Sequence, residues 1–441
     1  MKRRDSITTV IACIAVVVLL YLVFQFNLLV IKNVTHSTTI KTQDKKRAEE
    51  ISCDRAHNTY DICSINGPTV LDSTTSTFLL MNPTSSNPEK PLVEKVRPYA
   101  RKTENLTMSR ITEVTLLAGP PSPKCEIQHK APAVVFSVGG YCATGNFFHE
   151  FNDGFIPLYI TVNSMFPDQD VVLVISNARD WWISKYRELL RTFSKHPIII
   201  LDNDTATQCF PSASVGLISH GVMTIDPESI PNSKTFTHFH AFLGKAYHQN
   251  HPSISSCLPK SRPLLVLAGR NGSASRRLLN QNEVKLEAEK VGFDVTVFEP
   301  TPRTPLRESY ALINSSHAML GVHGAALTHS FFLRPRSIFV QVVPLGAEWV
   351  AEACFGRSAR AMGIEYMEYK IKAEESSLID KYSKDEMIIK DPVAFRGVNF
   401  SNHDAMRIYL KQQNVRLDII RFREYLKEVY MKAKKFMDNE G

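Results

Sequence analysis

The chain has 441 residues, 44% of them hydrophobic and 22% charged, and a formal net charge of +8. Those fractions exclude wholesale disorder and collagen-like repeats, and at roughly 150 residues per domain they leave room for two or three domains. Lysine plus arginine exceeds aspartate plus glutamate only by 52 to 44; this is too mild for the dense basic face of a nucleic-acid binder, so no nucleic-acid partner is expected.

The first element is apolar. Lys2, Arg3 and Arg4 precede a segment, Ser6 to Ile31, without a single Asp, Glu, Lys, Arg or His. A run of about 20 apolar residues matches the hydrocarbon thickness of a bilayer, and basic residues mark its cytoplasmic flank. Residues 1–6 therefore read as a cytoplasmic tail and 7–31 as a signal-anchor transmembrane helix, with everything beyond it luminal. A cleaved signal peptide is the competing reading. The run exceeds a typical signal core, however, and no small-x-small cleavage site follows it. No second run of this length exists, which predicts a single-pass type II protein. Asn-x-Ser/Thr sequons at Asn33, Asn105, Asn203, Asn271, Asn314 and Asn399 are compatible with glycosylation in a secretory lumen. Cys13 falls in the anchor, so seven cysteines remain, allowing at most three bridges and a free thiol. Cys53 and Cys63 flank a short polar loop and form the expected pair.

Residues 32–105 are polar, rich in Ser, Thr, Asn and Pro over 69–90, and read as a luminal stem with some strand character near its end. The pattern changes at residue 106. Over 106–258, short β-branched strands (ITEVTLL, APAVVFSV, VVLVIS, HPIIILD, SVGLISH) alternate with helices (HEFNDGFIPLYITVNSMF, KYRELLRTFS, THFHAFLGKAYHQ). After a Pro/Ser-rich break at Pro252–Pro263 the alternation restarts over 259–400, from PLLVLAG through a helix ending at Gly292 to SIFVQVVP. Two such runs predict two doubly wound α/β domains, with ligands in the cleft at the carboxyl ends of the strands. Residues 401–441 read as a C-terminal basic helix: Arg407 to Lys435 holds nine Lys/Arg against three Asp/Glu, a solvated face on a packing helix.

Three clusters carry chemistry. Gly139 to Asp153 ends a strand in a glycine pair and enters a helix with His149 and Asp153 four apart on one face, which equips a general base. A surface salt bridge and a cap are the bland alternative for that pair. Gly269 to Arg277 follows the PLLVLA strand with Arg270 and Arg276 at a helix start, suited to a diphosphate or else to a solvated loop. Gly321 to Thr328 is a third strand-to-helix turn, in which Gly324 permits close approach of a ligand beside His323. Asp202-Asn203-Asp204 has a metal-motif look, but it overlaps a sequon and reads as a surface turn. With no CxxC or Cys/His spacing either, no metal site is expected.

Together these stretches resemble glycosyltransferase family 61, in its plant branch: Cys53-Asp54 with Cys63, PAVVFSVGGY and TGNFFHEFND, CFPSASVGL, RPLLVLAGR and RRLLNQNEV, AMLGVHGAALTHSFFLRP, VQVVPLG and EESSLIDKY, in order. The resemblance implies a type II Golgi enzyme of GT-B fold that is inverting and uses a UDP-sugar donor without a further cofactor. Its acceptor would be the xylan backbone, receiving xylose or arabinofuranose. It implies Arg270 and Arg276 as diphosphate binders and Asn280 and Glu283 as residues orienting the uridine or the arginines. His323, Gly324 and Thr328 would line the nucleotide sugar, and Asp153 or His149 would be the catalytic base on the acceptor side. Cys142-Ala143 departs from the family pattern as extra residues in the glycine turn, and Cys142 is the candidate free thiol. Other acceptors (N-glycan core or protein), a non-catalytic Golgi scaffold, and a homo- or hetero-oligomer are compatible with the same features.

Overall fold

The computed structural model describes residues 50–81, 92–119, 123–247, 261–270, 275–398 and 402–439. The tail, the 7–31 anchor, and Asn33, Asn271 and Asn399 lie outside the described residues. No helix among the described residues is long and apolar enough to cross a membrane. Residues 49–441 form one compact unit, and its described strands make three sheets.

The first six-stranded sheet is ordered Glu50–Asp54, Ile62–Asn66, Ala213–Gly216, Ala133–Ser137, Val172–Ser176, Ile199–Ile200. Its last four strands are parallel, and the first two add on antiparallel. Cys53 and Cys63 are directly opposite in that antiparallel pair and joined by a disulfide; a second disulfide links Cys125 to Cys209. The central strands are buried along their whole length, as expected of parallel strands covered on both faces. Alternate residues point to different cores. Val134, Phe136, Leu173 and Ile175 pack on helices Ile156–Met165, Asp180–Phe193 and Phe236–Tyr247. Ala133, Val135, Val172 and Val174 instead meet Leu71, Phe78, Leu80, Val114 and Leu116 of a second sheet.

That second sheet corrects the expected stem. It is ordered Leu92–Val96, Val114–Ala118, Thr77–Leu80, Thr69–Asp72, Thr207–Phe210, Ile127–Gln128. From Glu50 onward the segment read as a tether is therefore part of the body. Its Ser/Thr-rich composition hides apolar residues (Leu71, Phe78, Leu80) that seal the face a helix layer covers in a doubly wound domain. The first half is a sheet packed between helices and a second sheet, not a doubly wound unit.

The second half is doubly wound. Five parallel strands are ordered Asp294–Phe298, Leu264–Ala268, Ala318–Val322, Ile338–Val343, Glu365–Lys370. Leu265, Leu267, Leu320 and Val340 pack under helices Gln281–Val291 and Ile419–Asp438. The opposite face, Val266, Met319 and Phe339, belongs to the same cluster as Phe151, Phe155 and Phe239 of the first half. The two halves are thus joined through one continuous core.

The C-terminal basic region is two helices rather than one, His403–Lys411 and Ile419–Asp438. Between them Val415 is drawn into the body by backbone bonds to Arg277 and Leu279, and Asp418 restarts the helix as its N-cap. Phe422, Leu426, Val429, Ala433 and Phe436 recur every three or four residues and are buried. The basic side chains lie off that stripe, with Arg423 paired to Glu287 and Lys432 to Glu365.

Candidate active site

The carboxyl ends of Ala133–Ser137, Leu264–Ala268 and Ala318–Val322 deliver the three predicted clusters to one cleft of about 560 Å³. His149, Arg270, Arg276, His323 and Gly324 all line it.

Local chemistry shapes the first wall. Gly140 (φ 58°) turns the chain, Cys142–Thr144 forms a short 3-10 turn, and Gly145 (φ 73°) ends it. Asn146 then caps the next turn through the Phe148 amide at 3.1 Å. Glu150–Phe155 continues as a π-helical turn, a widening that recurs at functional sites. The extra Cys142 sits buried beneath this turn, its thiol donating to the His149 carbonyl at 3.5 Å.

Asp153 does not reach the cleft. Its side chain is 1% exposed. It accepts from Arg101 Nε and Nη2 (3.0 and 2.8 Å), Tyr99 OH (3.0 Å), Asn152 Nδ2 (2.5 Å) and His149 Nδ1 (2.9 Å). Burial alone pushes its carboxyl up, but the bond from His149 and the Arg101 charge outweigh it and hold the group below the usual aspartate range. With Nδ1 donating to Asp153, His149 turns Nε2 away from that carboxylate, and its ring stacks on Tyr141 at 4.4 Å on the cleft wall. The predicted pair is therefore ordered: His149 faces the cleft, and Asp153 holds it from behind.

Next in the chain, Glu150 is fully buried. Burial raises its carboxyl to about 8, while Oε2 accepts from Trp182 Nε1 and Oε1 has no partner. A carboxyl raised in the folded state stabilises the fold below its unfolded pKa, near 4.5, and loses that contribution as pH rises through about 8. Glu150→Gln is expected to flatten the fall in melting temperature between those pH values; thermal scans across that range check it.

The opposite wall is cationic. Arg270 Nη1 donates to the Ser275 carbonyl at 2.9 Å, Nη2 reaches the His323 carbonyl at 3.5 Å, and Arg276 donates to the Leu410 carbonyl. Among the described residues neither arginine has a carboxylate within ion-pair distance, and Arg276 Nε is buried without a partner. Burial lowers both guanidinium pKa values, that of Arg276 to about 10, where the neighbouring Arg270 adds to the effect. Gly324 (φ 151°) makes room: a Cβ there would sit 1.3 Å from Arg270 Nη2. His323 accepts from Gln341 Nε2 at 2.6 Å through Nδ1, so Nε2 carries the proton. Burial and both arginines push its pKa well below 6.5, which makes it a neutral donor.

Three expected ligands fall elsewhere. Asn280 clamps the backbone of Leu417 with both ends of its amide, at 2.9 and 3.0 Å. Glu283 is exposed and lies 3.8 Å from Arg416. Asn280, buried at the N-cap of helix Gln281–Val291, and Glu283, exposed in its first turn, do not line the cleft. Thr328 is buried with Oγ1 unpartnered, outside the cleft lining. Asp202 and Asp204 tie loops together, accepting from the Asn177 amide and the Ser73 hydroxyl. Of the sequons, Asn105 and Asn203 are exposed, whereas the Asn314 amide is committed to the Phe332 carbonyl at 3.0 Å. Missed altogether were Tyr99 and Arg101, which lay in the supposed stem. Gln341 was missed as one more apolar-strand residue.

A family model described as Glycosyltransferase 61 matches residues 145–340, a span that includes His149, Arg270, Arg276 and His323 of the cleft. A xylan glycosyltransferase of Arabidopsis thaliana is 38% identical over 420 residues, covering 91% of this chain and 83% of that protein. A beta-1,2-xylosyltransferase of Oryza sativa subsp. japonica is 35% identical over 395 residues, covering 85% and 83%. An alpha-1,3-arabinosyltransferase of the same rice is 35% identical over 381 residues, covering 85% of this chain and 64% of that protein. At that identity over most of its length, the chain belongs to glycosyltransferase family 61.

Proposed function

We propose that this protein transfers a pentosyl group, xylose or arabinofuranose, from a UDP-sugar to the xylan backbone with inversion, in a GT-B arrangement. In this reading it is held in the Golgi membrane by residues 7–31. The observation that carries the reading is the pair Arg270 and Arg276, half-buried cations with no carboxylate in ion-pair distance among the described residues, facing His149 across one cleft. Buried charges are paired, so this site calls for an anionic ligand. The relatives' names, which describe xylan, arabinosyl and xylosyl transfer, supply the sugar class.

In the proposed reaction the arginines hold the diphosphate and His323 Nε2 donates to the donor. His149 Nε2 removes the proton of an acceptor hydroxyl, whose oxygen attacks C1 of the sugar opposite the diphosphate. The C1–O bond to the diphosphate breaks, and UDP leaves with the electron pair. Asp153 balances the imidazolium that forms. A donor panel, UDP-xylose against UDP-arabinofuranose, assayed on xylo-oligosaccharides with the full chain, is expected to give transfer from one pentose donor. Transfer to N-glycan or protein acceptors alone would overturn the reading.

A further inference from the structure

A second cavity of about 900 Å³ adjoins the cleft. Two chain segments run from one to the other. Asn146, Phe148 and His149 line the cleft, while the preceding Ala143, Thr144 and Gly145 line the second cavity. Likewise Glu299 to Pro302 border the cleft and Pro302 to Glu308 the second cavity, with Pro302 common to both. The second cavity thus borders the cleft along the segment that leads into His149.

Its wall carries an aromatic that the fold does not use. Helix Asp180–Phe193 begins with two tryptophans. Trp182 points inward, stacks on Phe155 at 5.5 Å and donates to Glu150. Trp181 points outward, is 37% exposed, and lines the cavity. Gly145 (φ 73°) lies beside it, with the indole at ordinary van der Waals distance, 3.6 Å, from where a Cβ would stand. The polar lining is mixed: Arg187, Arg303 and Glu308, with Arg307 paired to Glu188. An exposed indole beside both donors and acceptors suits a chain of pyranose rings, whose C–H faces stack on aromatics and whose hydroxyls both donate and accept.

We propose that this second cavity is the acceptor subsite, in which Trp181 stacks a ring of the polysaccharide neighbouring the unit that reacts at His149. The inference rests on the xylan reading above, and binding distinguishes the two. Xylohexaose binding to the full chain is measured by calorimetry for wild type, Trp181→Ala and Trp181→Phe, beside UDP binding. Trp181→Ala is expected to weaken xylohexaose on the order of tenfold, with Trp181→Phe near wild type and UDP unchanged. Equal xylohexaose affinity in wild type and Trp181→Ala overturns the subsite, as does absence of xylohexaose binding to a wild type that still binds UDP. Trp181-dependent binding without pentosyl transfer upholds the subsite and sinks only the proposed reaction.

Discussion

Arg270→Ala is expected to lower kcat/KM by on the order of 10²–10³ while leaving the melting temperature unchanged or raised. The rate loss follows from the removal of a charge-stabilising donor at the leaving group. Such donors act in a water-poor site, where each is worth more than in bulk solvent. The unchanged stability separates this role from a structural one. Arg270 bonds only to the carbonyls of Ser275 and His323 and has no carboxylate partner among the described residues. Burial without a counter-ion is a cost to the unliganded fold, visible in its lowered pKa. Truncation relieves that cost and orphans no charge. Arg270→Lys is expected to recover little, because an ammonium lacks the planar fork that meets two phosphate oxygens. UDP titration by calorimetry and thermal melts on the same variants provide the check. Full activity in Arg270→Ala, or a large fall in its melting temperature, would remove the arginine from the diphosphate site.

The site was legible in the sequence where it obeyed a local rule. Glycines at strand ends followed by Asn146, Arg270 and His323 announce turns that open toward a ligand, and those turns do meet in one cleft. What failed was any feature set by long-range pairing. The strands between Glu50 and Val96 are four or five residues long and gain their meaning only from partners such as Val114–Ala118, Ala213–Gly216 and Thr207–Phe210. Arg101 was hidden for the same reason: nothing near it in sequence marks a carboxylate 52 residues away. Asn280 and Glu283 misled in the opposite direction. Their proximity in sequence to the arginines is real, but the helix they begin turns them toward Leu417 and Arg416. Val415 breaking the terminal helix is likewise a tertiary effect, since no proline or glycine stands there.

His149→Ala and Asp153→Asn are both expected to cost on the order of 10²–10⁴ in turnover, and they differ in everything else. His149 contributes the cleft-facing nitrogen, so its loss removes the base. Its stability effect is small, because the ring is part-exposed and Asp153 keeps four other hydrogen bonds from Arg101, Tyr99 and Asn152. Asp153→Asn leaves the histidine in place but loses the charge that fixes its tautomer. It also breaks the Arg101 ion pair with a carboxylate that is 1% exposed, leaving Arg101 only Glu104 at 2.8 Å among the described residues. Breaking a buried pair on one side costs about 3–5 kcal/mol, so Asp153→Asn is expected to melt well below His149→Ala. The pH dependence has a fixed sign. Asp153 is held below its unfolded pKa, so its stabilisation is present above the ordinary aspartate range and is lost as pH falls through the depressed value. Wild type should therefore lose stability on acidification more steeply than Asp153→Asn. Turnover retained in His149→Ala but abolished in Asp153→Asn would make the buried carboxylate the base. That outcome would require Asp153 to exchange its donors for an acceptor hydroxyl, although every donor now on it comes from the protein itself.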